Sequence, residues 1–207
     1  MNLTPMVILW SLAGLVVWGY YTVSFVSGVL EPFARWQRES GWTASFASRF
    51  VFCGLLPGVF MLTFRTLHVS RPVLAVLVQT LWSGICGIVS GWMFSLHAVL
   101  LGEGADWATL GVKTAIQQFV WTPLFFAPVG AIVYLWIGSD FSWRSVRTGG
   151  SRSFFAERLL PNLFVNWIIW IPVGFAVHAF PTPLQVHIAG FANAFLCLVL
   201  LTLGKRT

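Results

Sequence analysis

Between Arg158 and Lys205 the chain runs 46 residues without a formal charge. As one helix at about 1.5 Å per residue it would reach roughly 69 Å, over twice a hydrocarbon core of about 30 Å. The segment must cross a bilayer, turn and cross again, and Pro181-Thr182-Pro183 near its middle is the expected corner. Two full spans, Leu159–Phe180 and Leu184–Leu203, fit this reading. One span with a re-entrant turn would instead move the C-terminus to the other face.

The rest of the sequence agrees with a membrane solvent. Only 9% of the 207 residues are charged, against about 25% in soluble domains. This excludes an ordinary cytosolic fold and a disordered chain. Residues 1–207 are read as a single membrane domain, an all-α, polytopic transmembrane helix bundle of about six spans. The 12 Trp suit the water–lipid boundary. Net charge is +6, but the basic residues sit in gaps between apolar runs rather than on one face. That favours lipid headgroups and topology over nucleic acid. Residues 1–34 hold no Lys or Arg, so neither a secretory n-region nor an Arg-rich presequence is visible, and the first apolar run should stay as a span.

That first span is expected over Leu3–Gly28, followed by a charged interfacial loop over 31–49 with a surface helix. The second covers Phe50–Phe64, extended back to Thr43 if Arg49 snorkels to the interface. Then come Pro72–Gly102 and a span from Lys113 to Ser139. Kinks are expected at Pro57, Pro123 and Pro172, with Pro183 at the last corner. Gly54 and Gly58, and the ridge of Ser83, Gly87 and Gly91, are spaced for close helix packing. With six spans, eight basic residues fall on the face of both termini and four on the other. The positive-inside rule then places both termini on the cytoplasmic, or matrix-equivalent, side.

No Asp or Glu lies inside a clear span. This argues against proton- or sodium-coupled transport and removes the commonest general base and metal ligand. The polar candidates are neutral or weakly basic: Lys113, Gln117, Gln118, Asn166, Trp170, His178, His187 and Asn193. Each could satisfy itself by an interhelical hydrogen bond or could line a wet path. His178 and His187 flank the proline corner and could form a pH-responsive pair. Cys53, Cys86 and Cys197 stand singly and read as small buried hydrophobes. No nucleophile, phosphate-loop, dinucleotide, metal or cofactor motif occurs, so the chain is read as a non-enzyme.

From about Arg71 to 203 the order of features resembles the family of Mpv-seventeen and the twenty-two-kilodalton peroxisomal membrane protein. Ser90-Gly91-Trp92 is similar to that family's Gly-Trp. Lys113, Gln117-Gln118 and Pro123 match the spacing of its basic residue, Asp-Gln pair and proline, and Pro172, Pro183 and His187 match a later Pro, Pro, Arg series. The departures are Gln117 for the Asp, His187 for the Arg, Trp170 one residue early, and no closing Leu-Ser. The resemblance implies a four-span core, with residues 1–45 as an additional span and loop. It also implies a small-solute channel or permeability protein without enzymatic activity.

Three readings follow. The first is such a channel, with a transport role, whose partners are the lipid bilayer, small solutes and a second copy of the chain. The second is a structural or assembly protein of the membrane. The third, a lipid-modifying enzyme, would need convergent His and Arg near the interface, and residues such as His68, Arg144 and Arg147 are scattered in sequence.

Overall fold

The computed structural model describes residues 4–149 and 160–203. Among these residues the chain is all helix, without a strand. The helices are α1 (Thr4–Thr22), α2 (Ser24–Ser40), α3 (Trp42–Thr63), α4 (Pro72–Leu101), α5 (Trp107–Gly138), α6 (Trp143–Gly149), α7 (Leu160–His178) and α8 (Thr182–Leu203). Four of them, α3, α4, α5 and the Thr182–Val199 part of α8, are long and apolar enough to cross a membrane. The bent pair α1–α2 makes a fifth if taken as one span, and Leu163–His178 is a shorter apolar helix. The fold is thus an all-α bundle of four to six spans.

The N-terminal run does not continue straight to Gly28. It stops at Thr22, Val23 is extended (φ −119°, ψ 107°), and α2 leaves at 97° to α1. The Thr22 hydroxyl donates to the Trp18 carbonyl (2.7 Å), competing with the backbone where the helix ends. The turn also lets α2 do what its sequence requires. Leu30 and Ala34 are buried against Phe180 and Leu184, while Glu31 and Arg38 pair on the exposed side.

Residues 31–49, expected as a charged interfacial loop with a surface helix, are helical on both sides of Gly41. Gly41, at φ +52°, turns the chain between α2 and α3, a conformation glycine adopts without strain. Gln37 secures this corner by donating to the Gly41 carbonyl and the Ser45 hydroxyl, both at 2.9 Å. As a result Arg49 lies inside α3.

The three prolines expected to kink, Pro57, Pro123 and Pro172, are carried within continuous helices, as are Pro32 and Pro128. Pro57 follows a wide, i→i+5 turn over Phe50–Leu55, and Pro123 lies inside another over Gln117–Phe126. In that wider register the donor to the Gln118 carbonyl would be residue 123, which as proline has none. The Trp167 indole N–H fills the vacancy at 2.9 Å. Pro172 lies inside α7, where Trp10 of α1 donates to the nearby Ile169 carbonyl (3.2 Å). Pro183 does not kink a helix. It occupies the first turn of α8, where a missing N–H costs little.

Helix α8 is the hub of the bundle, packing on α1, α2, α3, α4 and α7. The main core gathers Leu9, Met93, Phe94, Val173, Val177 and Val186. Helix α5 leans on α4 and α7 rather than on α8. The space this leaves is the candidate site.

Candidate functional site

Glycines bring α3 and α4 together. A Cβ on Gly54 would lie 2.5 Å from the Thr80 Cα, and one on Gly58 would lie 2.4 Å from Val76. From the other helix, a Cβ on Gly87 would meet the Ser45 carbonyl oxygen at 2.2 Å, and one on Gly91 the Ser45 hydroxyl at 2.4 Å. Residue numbers rise along one helix as they fall along the other, so the seam is antiparallel. Ser83 is buried beside this ridge and donates to the Gln79 carbonyl (2.9 Å).

On the other side of α4 the helices stand apart around a cavity of about 280 Å³. Helix α5 turns Gln117, Gln118, Thr122 and Tyr134 towards it, and α7 contributes Asn166 and Trp170. Asn193 comes from α8, Trp82, Cys86 and Ser90 from α4, and Arg49 from α3. Apart from Tyr134, which is one turn from the end of α5, these positions sit well inside their helices. Helical spacing explains the inward face of α5: Lys113, Thr114, Gln118 and Thr122 are buried, whereas Val112, Phe119, Val120 and Leu124 are exposed on the opposite side.

The amides are held rather than loose. Asn166 Nδ2 donates to Gln118 Oε1 at 3.4 Å, and Gln117 Oε1 lies 2.9 Å from His178 Nε2. Gly174 of α7 admits this contact, since a Cβ there would stand 3.2 Å from Thr114 and 3.7 Å from Gln117 Oε1. Asn193 makes a long contact to Cys197 Sγ (3.8 Å).

Of the eight polar candidates, Gln117, Gln118, Asn166, Trp170 and Asn193 share the cavity lining. Lys113 and His178 lie beyond it. Lys113 is buried one turn before Gln117, and the His178 ring is 5.5 Å from His97, a buried residue. His187 is fully buried elsewhere, stacked on Trp36 at 5.6 Å with Phe33 also at 5.6 Å. The expected His178–His187 pair is therefore corrected: after the corner, α8 turns His187 towards α2, and the histidine facing His178 is His97 of α4. Cys53 and Cys86 are buried free thiols and Cys197 is half-buried. No group of His, Cys, Asp and Glu suited to a metal ion occurs among the described residues.

Sequence reasoning missed Arg49, Ser90, Tyr134, Trp82 and Trp167. Arg49 was legible only as the charge abutting an uncharged run. What takes it inward is three-dimensional: its stem runs beside Gly87, and its Cδ is 3.7 Å from where a Gly190 Cβ would stand.

Outside the spans, two exposed carboxylates close loops. Asp106 caps α5 by accepting from the Thr109 amide (3.0 Å), and the Thr109 hydroxyl and amide hold it below the usual carboxylate range. Asp140 accepts from the Ser70 hydroxyl (2.5 Å) and amide (3.2 Å), which lower it in the same way.

Comparison of this chain with protein-family models, curated proteins and solved structures finds no match.

Proposed function

We propose that this chain is a multi-pass membrane protein whose mid-bundle cavity takes up small solutes and lets them pass, a permeability role rather than a catalytic one. The observation that carries the reading is the convergence of Gln117, Gln118, Asn166 and Asn193 on one cavity from α5, α7 and α8. Neutral donors and acceptors around such a cavity are what a polar solute needs in place of its hydration shell. The resemblance of residues 71–203 to the Mpv-seventeen family supports the same role. The glycine seams support a structural role less well, because α3 and α4 use them against each other, leaving them unavailable to a partner helix. With α1, α3, α4, α5, α7 and α8 as six crossings, the loop charges favour both termini on the cytoplasmic or matrix-equivalent side.

The test is solute flux into proteoliposomes. Wild-type protein should admit glycerol faster than protein-free vesicles, and Gln118→Leu with Asn166→Leu should reduce the rate. Vesicles that stay tight at high protein density would overturn the reading.

A further inference from the structure

We propose that the cavity binds a small oxyanion, a carboxylate or a phosphate, through Arg49. The inference rests on reading the cavity as a solute site and names the class of solute.

Arg49 is the cation of the cavity lining, and that lining contains no carboxylate. The Arg49 Nε is buried and has no hydrogen-bond partner, and among the described residues its guanidinium enters no ion pair. The ion pair that does occur, Arg38 with Glu31, lies on the exposed side of α2. A guanidinium taken into a bundle without a counter-charge is costly, and chains retain one there when something pairs with it. Its stem packs at Gly87 and Gly190, both near the middle of their helices, and its Nε is buried at the cavity lining.

The neighbours suit an oxyanion. A guanidinium presents paired N–H donors that match two oxygens of a carboxylate or phosphate. The Trp82 indole nitrogen, 3.9 Å from where a Gly130 Cβ would stand, and the amides of Gln118 and Asn193 add neutral donors to the same space. A cavity of about 280 Å³ has room for a small organic anion.

The experiment uses the full chain in non-ionic detergent, titrated with succinate and with inorganic phosphate. Tryptophan fluorescence and melting temperature are the readouts, with glycerol as the neutral control. Wild type should show a saturable response and a rise in melting temperature with at least one anion. Arg49→Gln should weaken binding on the order of tenfold or more, and Arg49→Lys by less. Asn193→Asp guards against a variant that fails to fold. It places a carboxylate three residues from Gly190, on the helix that abuts the Arg49 stem, so it should abolish anion binding while raising the melting temperature without ligand. A response in nanodiscs containing phosphatidate, absent with phosphatidylcholine and with free anions, would make the bound oxyanion a lipid headgroup. No saturable response to any of these, or an unchanged response in both Arg49→Gln and Asn193→Asp, would overturn the proposal. Glycerol flux separates the two claims: flux without anion binding sinks only the oxyanion, and anion binding in tight vesicles sinks only permeation.

Discussion

The two sides of α4 solve opposite problems with the same helix. Towards α3, glycines on both partners let backbones touch, and Thr80, Val76 and Ser45 fill the space that side chains would need. Towards α5 and α8, Trp82, Cys86 and Ser90 line the cavity. The seam gives rigidity and leaves no room for a ligand. The cavity keeps its amides in place by hydrogen bonds rather than by contact. A bundle that must hold polar groups in lipid needs both: the seam fixes where α3 delivers Arg49, and the open side gives that residue something to face.

The largest expected effect comes from closing the gap at the seam. Gly87→Val would drive a side chain into the Ser45 carbonyl, which as backbone cannot step aside. A loss of about 3 kcal/mol or more is expected, at the upper end of overpacking, read as reversible unfolding in mixed micelles. Gly130→Val borders the cavity, where a new Cβ has nothing nearer than 3.9 Å, and should cost far less. Equal losses at the two sites would break the contrast.

The next test concerns how the open side holds itself together. If Trp167 supplies the donor that Pro123 lacks, Trp167→Phe leaves the Gln118 carbonyl without its 2.9 Å partner and should destabilise the fold by about 1–3 kcal/mol. In a Pro123→Ala background the backbone regains an N–H, and the same substitution should cost less. A double-mutant cycle measures the difference, and strict additivity would show that the indole and the proline are unrelated.

What the sequence carried was what lipid dictates locally. Long uncharged runs announced helices, and the small-residue spacing around Gly54 and Gly87 is where α3 and α4 now lie closest. Gln117, Gln118, Asn166 and Asn193 stood out because amides in apolar runs are rare. The turn at Val23 was hidden because Leu3–Gly28 is uncharged throughout, and only the amphipathic stretch after it has a reason to leave the axis. Arg49 was hidden for a related reason. A charge at the border of a run can go either way, and the choice is made by glycines on two other helices. His187 and His178 are neighbours in sequence, yet a proline corner separates their faces.

The smallest effect tests the lash between the two sides. Ser70 lies in the α3–α4 connection and Asp140 just past the end of α5, so their contact ties the seam pair to the helix that lines the cavity. Both Ser70 donors favour the ionised carboxylate, so its folded-state pKa lies below the ordinary value. The sign follows from that direction: the contribution is fully present above the ordinary carboxylate range and is lost as pH falls through the lowered value. Asp140→Asn should therefore lower the melting temperature slightly at neutral pH, and the gap from wild type should close as the solution is acidified. Asn tolerates the left-handed backbone at this position (φ +53°), so the comparison isolates the charge. A gap that stays constant down to the most acidic condition in which the protein remains folded would mean the carboxylate's charge does not hold α5 to the seam.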